Sequence, residues 1–103
     1  MSTKTTKSLI SREEELRLIQ QFRTGDPSAA DQLTTACAGF VAAVAKDYQG
    51  RGLALPELKA AGTDGLLRSA ARFDETRGYR FLSYAIWWVR QSILQSIANQ
   101  SRN

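Results

Sequence analysis

Hydrophobic residues recur at three- and four-residue spacing along most of this chain, and no stretch alternates between polar and apolar positions with a period of two. This spacing predicts amphipathic helices and no sheet. The predicted helices run from Ser11 to about Thr24, from Asp26 to about Tyr48, from Pro56 to about Phe73, and from near Phe81–Ser83 to about Asn99. The expected fold is therefore all-α, a compact bundle of about four helices.

Local signals support these boundaries. Ser11 and Glu14 have the spacing of a capping box. Asp26 is followed by a proline, which is the usual order of an N-cap and a first helical residue. Gly62 and Gly65 lower the intrinsic helicity of the third helix. They also permit the close approach of another helix, from this chain or from a partner.

The last predicted helix has two unlike faces when its residues are placed about 100° apart around an axis. One face is aliphatic and carries Ile86, Val89, Ile93 and Ile97. The opposite face carries aromatic rings and amides, namely Tyr84, Trp87, Trp88, Gln91, Leu94 and Gln95. If the aliphatic face packs on the core, the rings face solvent or a ligand. Exposed rings beside arginine and glutamine are typical of a surface that stacks on unpaired bases.

Burial of the same rings is the competing interpretation, because aromatic residues at helical spacing usually belong to a core. Both faces are buried only if this helix runs through the middle of the bundle, and a chain of 103 residues has room for one such helix. Periodicity alone leaves both arrangements open for Tyr84 and Trp87. Phe73 and Phe81 fit the core and the wall of a binding pocket equally well.

Length and composition exclude most catalytic chemistry. A chain of 103 residues forms one domain, with residues 1–10 as a flexible polar tail and residues 11–103 as a single helical domain. The sequence has no histidine, and its carboxylates include no pair placed for acid–base catalysis. We therefore expect no enzyme activity, no cofactor, no metal and no small-molecule substrate.

Cys37 is the single cysteine, so no internal disulfide can form. It lies in the apolar stripe of the second predicted helix, which favours a buried thiol over a reactive one. No apolar run reaches about 18 residues, so no membrane span is expected. The first residues lack the apolar segment of a secretion signal, which predicts a cytoplasmic location.

Positive charge is concentrated in the last third of the chain, although the whole chain has only 14 Lys and Arg against 10 Asp and Glu. From residue 68 onward the basic residues are all arginines: Arg68, Arg72, Arg77, Arg80, Arg90 and Arg102. Arginine pairs with phosphate through two N–H groups and stacks on bases. Arg68 and Arg72, taken alone, are also typical of solvated helix charges.

Three short motifs lie close together in this part of the chain: Arg72-Phe73-Asp74, Arg77-Gly78-Tyr79-Arg80-Phe81, and Tyr84-Ala85-Ile86-Trp87-Trp88-Val89-Arg90-Gln91. They resemble region 2 of the sigma-70 family, the bacterial initiation subunits of RNA polymerase. The family reads Lys-Phe-Asp/Glu, then Arg-Gly-Tyr/Phe-Lys-Phe, then Tyr-Ala-x-Trp-Trp-Ile-Arg-Gln. The resemblance extends from about residue 12 to residue 102 and is strongest from residue 44.

The resemblance implies that the domain captures the promoter −10 element as a single strand, with one non-template base flipped into a pocket. Separating base pairs costs a few kcal/mol per extruded base, which stacking on the protein can offset. The DNA-binding residues implied in this way are Phe73, Arg77, Tyr79, Arg80, Phe81, Tyr84, Trp87, Trp88, Arg90, Gln91 and Leu94.

The family also implies a role for each of these residues. Tyr84 would stack where the flipped adenine leaves the duplex, and Trp87 and Trp88 would form a wedge against the last intact base pair upstream. Gln91 and Leu94 would face that pair. The pocket would be built or supported by Phe73, Arg77, Tyr79 and Phe81, and phosphates would be held by Arg80 and Arg90.

A second implied role is docking onto core RNA polymerase, through a coiled coil of its largest subunit. The contact candidates lie on the third predicted helix and are Glu57, Leu58, Gly62, Thr63 and Leu66. Where the family usually has Gln-Glu-Gly-Asn, this chain has Ala60-Ala61-Gly62-Thr63. Fewer polar contacts to the polymerase are therefore expected.

Other departures from the family concern base readout. Cys37 replaces an asparagine that in the family helps to line a second base pocket, and a thiol cannot replace the amide hydrogen bonds. Leu94 stands where many members have threonine; leucine can pack on a thymine methyl group but cannot donate a hydrogen bond. An alternative function therefore stays open, a sigma-like module that binds polymerase or a regulator without sequence-specific DNA readout. A helix-turn-helix protein is disfavoured, because its recognition helix is polar and basic.

Overall fold

Five α-helices account for most of residues 10–101, the part of the chain that the structure, a computed structural model, describes. They are α1 (Arg12–Arg23), α2 (Pro27–Ala36), α3 (Ala38–Lys46), α4 (Leu55–Arg72) and α5 (Phe81–Ser101), with a 3-10 turn at Glu75–Arg77. Residues 10–101 contain no strand, and the prediction of an all-α fold is confirmed. Residues 1–9 of the predicted tail and Arg102 lie outside the described residues.

The predicted helix starts form through side-chain hydrogen bonds. The Ser11 hydroxyl accepts from the backbone N–H of Glu14 at 3.0 Å, and the Asp26 carboxylate accepts from the N–H of Ser28 at 3.0 Å. Each bond satisfies an N–H that has no partner within its helix. A capping box would also have the Glu14 carboxylate accept from the Ser11 N–H, but that carboxylate pairs with Arg17 instead.

The second predicted helix is divided at Cys37, which ends α2 and begins α3 without an intervening loop. The backbone of Cys37 has φ −104° and ψ 10°, outside the helical range, yet its N–H still donates to the Leu33 carbonyl at 3.0 Å. The change of direction lets α2 pack mainly on α1 while α3 packs mainly on α4. The apolar spacing continues through this point, so periodicity alone did not predict the division.

The core lies between all five helices, and α4 and α5 form its most extensive helix pair. The largest fully buried side chains are Ile19, Leu33, Leu58, Leu66, Phe73, Phe81, Val89 and Ile93. A Cβ atom placed on Gly65 would lie 2.5 Å from the carbonyl oxygen of Trp88, and one on Gly62 would lie 2.9 Å from Val41 Cγ1. The close approach that these glycines permit is therefore made to helices of this same chain.

Along residues 10–101, none of the helices combines the length and the apolar character needed to cross a membrane.

Candidate nucleic-acid interface

Helix α5 turns its aliphatic side to the core and much of its aromatic side to solvent. Ala85, Val89 and Ile93 are fully buried, whereas Trp87 is 60 % exposed. Ile86 and Ile97, at the edges of the aliphatic stripe, are half-buried. The orientation predicted from periodicity is confirmed, and the arrangement with the helix in the middle of the bundle is ruled out.

An aromatic cluster surrounds the start of α5, and its members differ in depth. Phe73 and Phe81 form the buried floor, with ring centroids 5.4 Å apart. Tyr79 and Tyr84 stack above them at 6.4 Å with an interplanar angle of 29°. Phe73 joins the two layers, because its ring lies 5.9 Å from Tyr79 and 5.7 Å from Tyr84. A ligand at the surface can therefore contact the tyrosines, while the buried phenylalanines support the tyrosine rings from below.

The two tryptophans extend the cluster along α5. Trp88 lies 6.1 Å from Tyr84, and Trp87 meets Trp88 edge to face at 5.9 Å with an interplanar angle of 82°. The rings border an open cleft of about 440 Å³, which we call the aromatic cleft, lined by Tyr79, Ser83, Tyr84, Trp87 and Trp88. Ser83 also lines this cleft, and the sequence analysis did not identify it, because a serine near the start of a helix is an ordinary capping residue.

A tight turn between α4 and α5 brings Tyr79 to this cleft. The Asp74 carboxylate accepts from the Thr76 backbone N–H at 3.0 Å and from its hydroxyl at 2.6 Å. These hydrogen bonds hold the pKa of Asp74 below its ordinary value, and the bond from the Thr76 hydroxyl has the larger effect. Gly78 follows with φ +88°, a left-handed conformation that glycine adopts without strain. The turn thus reverses the chain directly before Tyr79.

The arginines near the cleft differ in their availability. Arg77 and Arg90 are exposed. Arg80 pairs with the buried Glu15 carboxylate at 3.2 Å, although 47 % of its side chain remains exposed. Arg72 is exposed, as expected of a solvated helix charge, and its guanidinium also lies 5.7 Å from the centre of the Trp88 ring, within the range of a cation–π contact. The sequence did not predict this contact, since it joins two different helices.

Beyond the tryptophans, the exposed side of α5 continues with polar groups. Gln91 is exposed and Leu94 is 38 % exposed. A shallow groove of about 170 Å³ runs beside them, lined by Arg68, Trp87, Trp88, Gln91, Ser92 and Gln95. The aromatic cleft and this groove share both tryptophans, so they form one continuous surface along α5.

The predicted polymerase contacts on α4 do not all reach the surface. Leu58 and Leu66 are fully buried and Gly62 faces the core, so none of the three presents a side chain to a partner. Our expectation that they are contacts needs correction for this reason: they shape α4 from inside. Thr63 is partly accessible, and Glu57 is exposed while its carboxylate accepts from the Ala54 N–H at 2.9 Å.

Cys37 is buried, as its position in the apolar stripe predicted. Burial, together with the negative charge of Glu15, raises the pKa of its thiol to about 11. Among residues 10–101, no group of three or more His, Cys, Asp or Glu is placed to hold a metal ion.

Comparison with known proteins agrees with this geometry. The family model of sigma-70 region 2 matches residues 33–103. RNA polymerase sigma factor SigA of Clostridium acetobutylicum and RNA polymerase sigma factor RpoS of Coxiella burnetii are each 42 % identical to the chain over 94 residues, 91 % of its length. Another sigma factor SigA, from a Bacillus species, is 37 % identical over 94 residues. The chain spans only 25 to 27 % of the length of these relatives. The chain belongs to the sigma-70 region 2 family.

Proposed function

We propose that this domain binds the promoter −10 element as a single strand and captures one flipped base of the non-template strand in the aromatic cleft. The observation that carries the proposal is the open cleft bordered by four rings, on the side of α5 that faces away from the core. The relatives are named as RNA polymerase sigma factors, which supports a role in transcription initiation.

Stacking supplies the free energy that strand opening requires. Extruding a base costs a few kcal/mol, and each base that stacks on an aromatic side chain recovers about 1–3 kcal/mol. Tyr84 is the central ring of the cluster, in contact with Phe73, Tyr79 and Trp88. A base in the cleft would lie on the outer side of this ring, because the stacked tyrosines leave no room between them.

Trp87 suits the role of a wedge against the last upstream base pair. Its ring stands edge to face on Trp88 and projects into solvent, where it can end a base stack. Gln91 and Leu94 lie further along the same side and would meet the edge of that pair. Leucine there offers apolar contact to a thymine methyl group but no hydrogen bond.

Phosphate binding falls mainly to Arg77 and Arg90, which are exposed. Arg80 can contribute only through the part of its guanidinium that Glu15 does not engage. For core RNA polymerase, we propose contact through the outer side of α4 near Glu57 and Thr63, with the coiled coil of the largest subunit as the partner. Ala60 lies on the same exposed side and offers no polar group, which supports a weak contact.

The test is binding to a single-stranded TATAAT oligonucleotide and to the same strand with its second base changed, both at one stated salt concentration. The proposal predicts a clear loss of affinity for the changed strand. Equal and salt-sensitive binding to both strands would contradict it, because phosphate contacts alone would then account for the affinity. Arg77→Gln should weaken binding to both strands alike, because it removes a proposed phosphate contact, and Arg51→Gln, which removes an exposed charge over Tyr48, is its matched control.

One observation favours the second function, a polymerase- or regulator-binding module without sequence-specific readout. Cys37, at the position of the family's base-contacting asparagine, is buried and cannot reach a second base. This function predicts no strand binding together with retained binding to the polymerase coiled coil.

A further inference from the structure

Side-chain ion pairs join the turn between α4 and α5 to α1, a helix that lies outside the residues matched by the family model. Arg80 donates from Nε to Glu15 Oε1 at 3.2 Å and from Nη2 to Oε2 at 3.3 Å. The Glu15 side chain is only 3 % exposed. A buried carboxylate is strongly destabilising unless it is paired, so this contact holds Arg80 against α1.

A second contact lies on the other side of the turn. Arg23 donates from Nη1 to Glu75 Oε1 at 3.0 Å, and from Nε to the Ala70 carbonyl at 3.1 Å. That carbonyl is in the last turn of α4, where carbonyl groups have no partner within the helix. Gln20 adds a longer contact to Glu75 Oε2 at 3.5 Å. Helix α1 therefore holds the turn at two points, one before Tyr79 and one after it.

Tyr79 depends on this backbone for its position. Tyr79 is 41 % exposed, and its ring contacts the rings of Phe73 and Tyr84. The preceding residue is Gly78 in a left-handed conformation, which by itself leaves the chain free to pivot. The contacts of Tyr79 with Phe73 and Tyr84 therefore depend on how the backbone on both sides of Tyr79 is held.

We propose that α1 is a clamp that positions Tyr79 as one wall of the aromatic cleft, with Glu15 and Arg23 as positioning residues. The proposal rests on the function proposed above for that cleft. When the clamp is released, Tyr79 moves away from Tyr84 and the cleft loses its shape. A strand then still binds through stacking and phosphates, but the protein discriminates less between bases.

The experiment compares Glu15→Gln, Arg23→Gln, Glu75→Gln and the double variant Arg23→Gln/Glu75→Gln. The control is Glu14→Gln, which breaks the pair between Glu14 and Arg17 within α1 and leaves the turn untouched. Two quantities are measured: the affinity ratio for the TATAAT strand over the strand with its second base changed, and the 19F NMR signals of protein labelled with 3-fluorotyrosine. The label reports on the three tyrosines, Tyr48, Tyr79 and Tyr84. Urea unfolding of each variant records its global stability.

We expect each clamp variant to lower the affinity ratio by about two- to fivefold, the range that a partly exposed ion pair supports. The Tyr79 signal should shift while the Tyr48 signal stays in place, and Glu14→Gln should behave as the parent. The double variant should lose little more than Arg23→Gln alone, because that substitution already breaks the Arg23–Glu75 contact.

Unchanged Tyr79 signals and an unchanged ratio in folded Arg23→Gln and Glu75→Gln would overturn the proposal. If Glu15→Gln does not fold, those two variants still decide the question, since both lie at the surface. If the parent protein shows no base discrimination, the proposed function fails, whereas the clamp is still judged by the Tyr79 signal.

Discussion

Trp87 exposes 60 % of its surface, although tryptophan is among the residues that proteins usually keep from water. Its neighbour in the cluster, Tyr84, is half-buried and touches rings on three sides. The two residues contribute unequally to the fold, because only the buried part of a ring stabilises it. Substitutions here can therefore separate binding from folding.

Tyr84→Ala should weaken binding to the TATAAT strand by about 1–3 kcal/mol, because it removes the ring on which the base stacks. Fluorescence anisotropy with a labelled strand measures the loss, and circular dichroism should show the helices unchanged. Tyr48→Ala is the control, since that ring contacts Arg51 rather than the cluster. A Tyr84→Ala protein that fails to fold would mean that the ring belongs to the core.

Cys37 should resist alkylation by iodoacetamide at about pH 8 in the folded protein and react readily in urea. The pKa of about 11 leaves almost no thiolate at that pH, and burial blocks access. Because the folded-state pKa is raised, the thiol's contribution to stability is complete below about pH 9 and is lost as the pH rises toward 11. Rapid labelling of the folded protein would show that the α2–α3 junction opens.

Helices α4 and α5 approach each other closely at Gly65, where an added Cβ would lie 2.5 Å from the Trp88 carbonyl oxygen. Gly65→Ala should destabilise the fold by about 3 kcal/mol, because the new Cβ would clash with the Trp88 backbone, which cannot move aside like a flexible side chain. Urea unfolding measures the change. Gly39→Ala adds the same methyl group at an exposed position of α3 and should be neutral or slightly stabilising. A tolerated Gly65→Ala would contradict the close packing.

The helix features that could be predicted from the sequence are those determined by residues close together in the chain. The caps at Ser11 and Asp26 and the two faces of α5 follow from residues a few positions apart, and the structure has them where they were predicted. The division at Cys37 was missed because apolar spacing is equally regular in one bent helix and in two short ones. Leu58 and Leu66 were expected to contact the polymerase, and their full burial could not be read from the sequence because it depends on where the other helices pack against α4.

The candidate site shows the same limit. Its rings follow from the spacing in α5, and the motifs around them identified the family. The ion pair of Glu15 with Arg80 spans 65 positions of the sequence, and that of Arg23 with Glu75 spans 52 positions. No local pattern predicts such contacts, because they exist only once α1 has docked. For this reason Arg80 was expected to be a free phosphate contact.

Across the domain, α1 contributes to the same core as the matched family region. Leu18 and Ile19 are buried at 2 % and 0 % exposure, and Leu33 of α2 is buried with them. A small core of this kind has little stability to spare, since whole domains are stable by only about 5–15 kcal/mol. Helix α1 is therefore part of the folding unit.

A fragment of residues 33–103, the part that the family model matches, should lose cooperative unfolding. It lacks Leu18 and Ile19, each of which stabilises the core by about 1.5–3 kcal/mol, and it begins inside α2. Urea and thermal unfolding followed by circular dichroism measure the effect, with residues 10–103 as the control. A fragment as stable as the control would show that α1 is an accessory to the bundle.

The contact at Gly65 also has a mechanical consequence. Because Gly65 has no side chain, the backbones of α4 and α5 meet directly at this point, and we expect the two helices to move as one rigid unit that carries the rings on its exposed side. The proposed polymerase contact on α4 would therefore also set the direction in which the rings of α5 face.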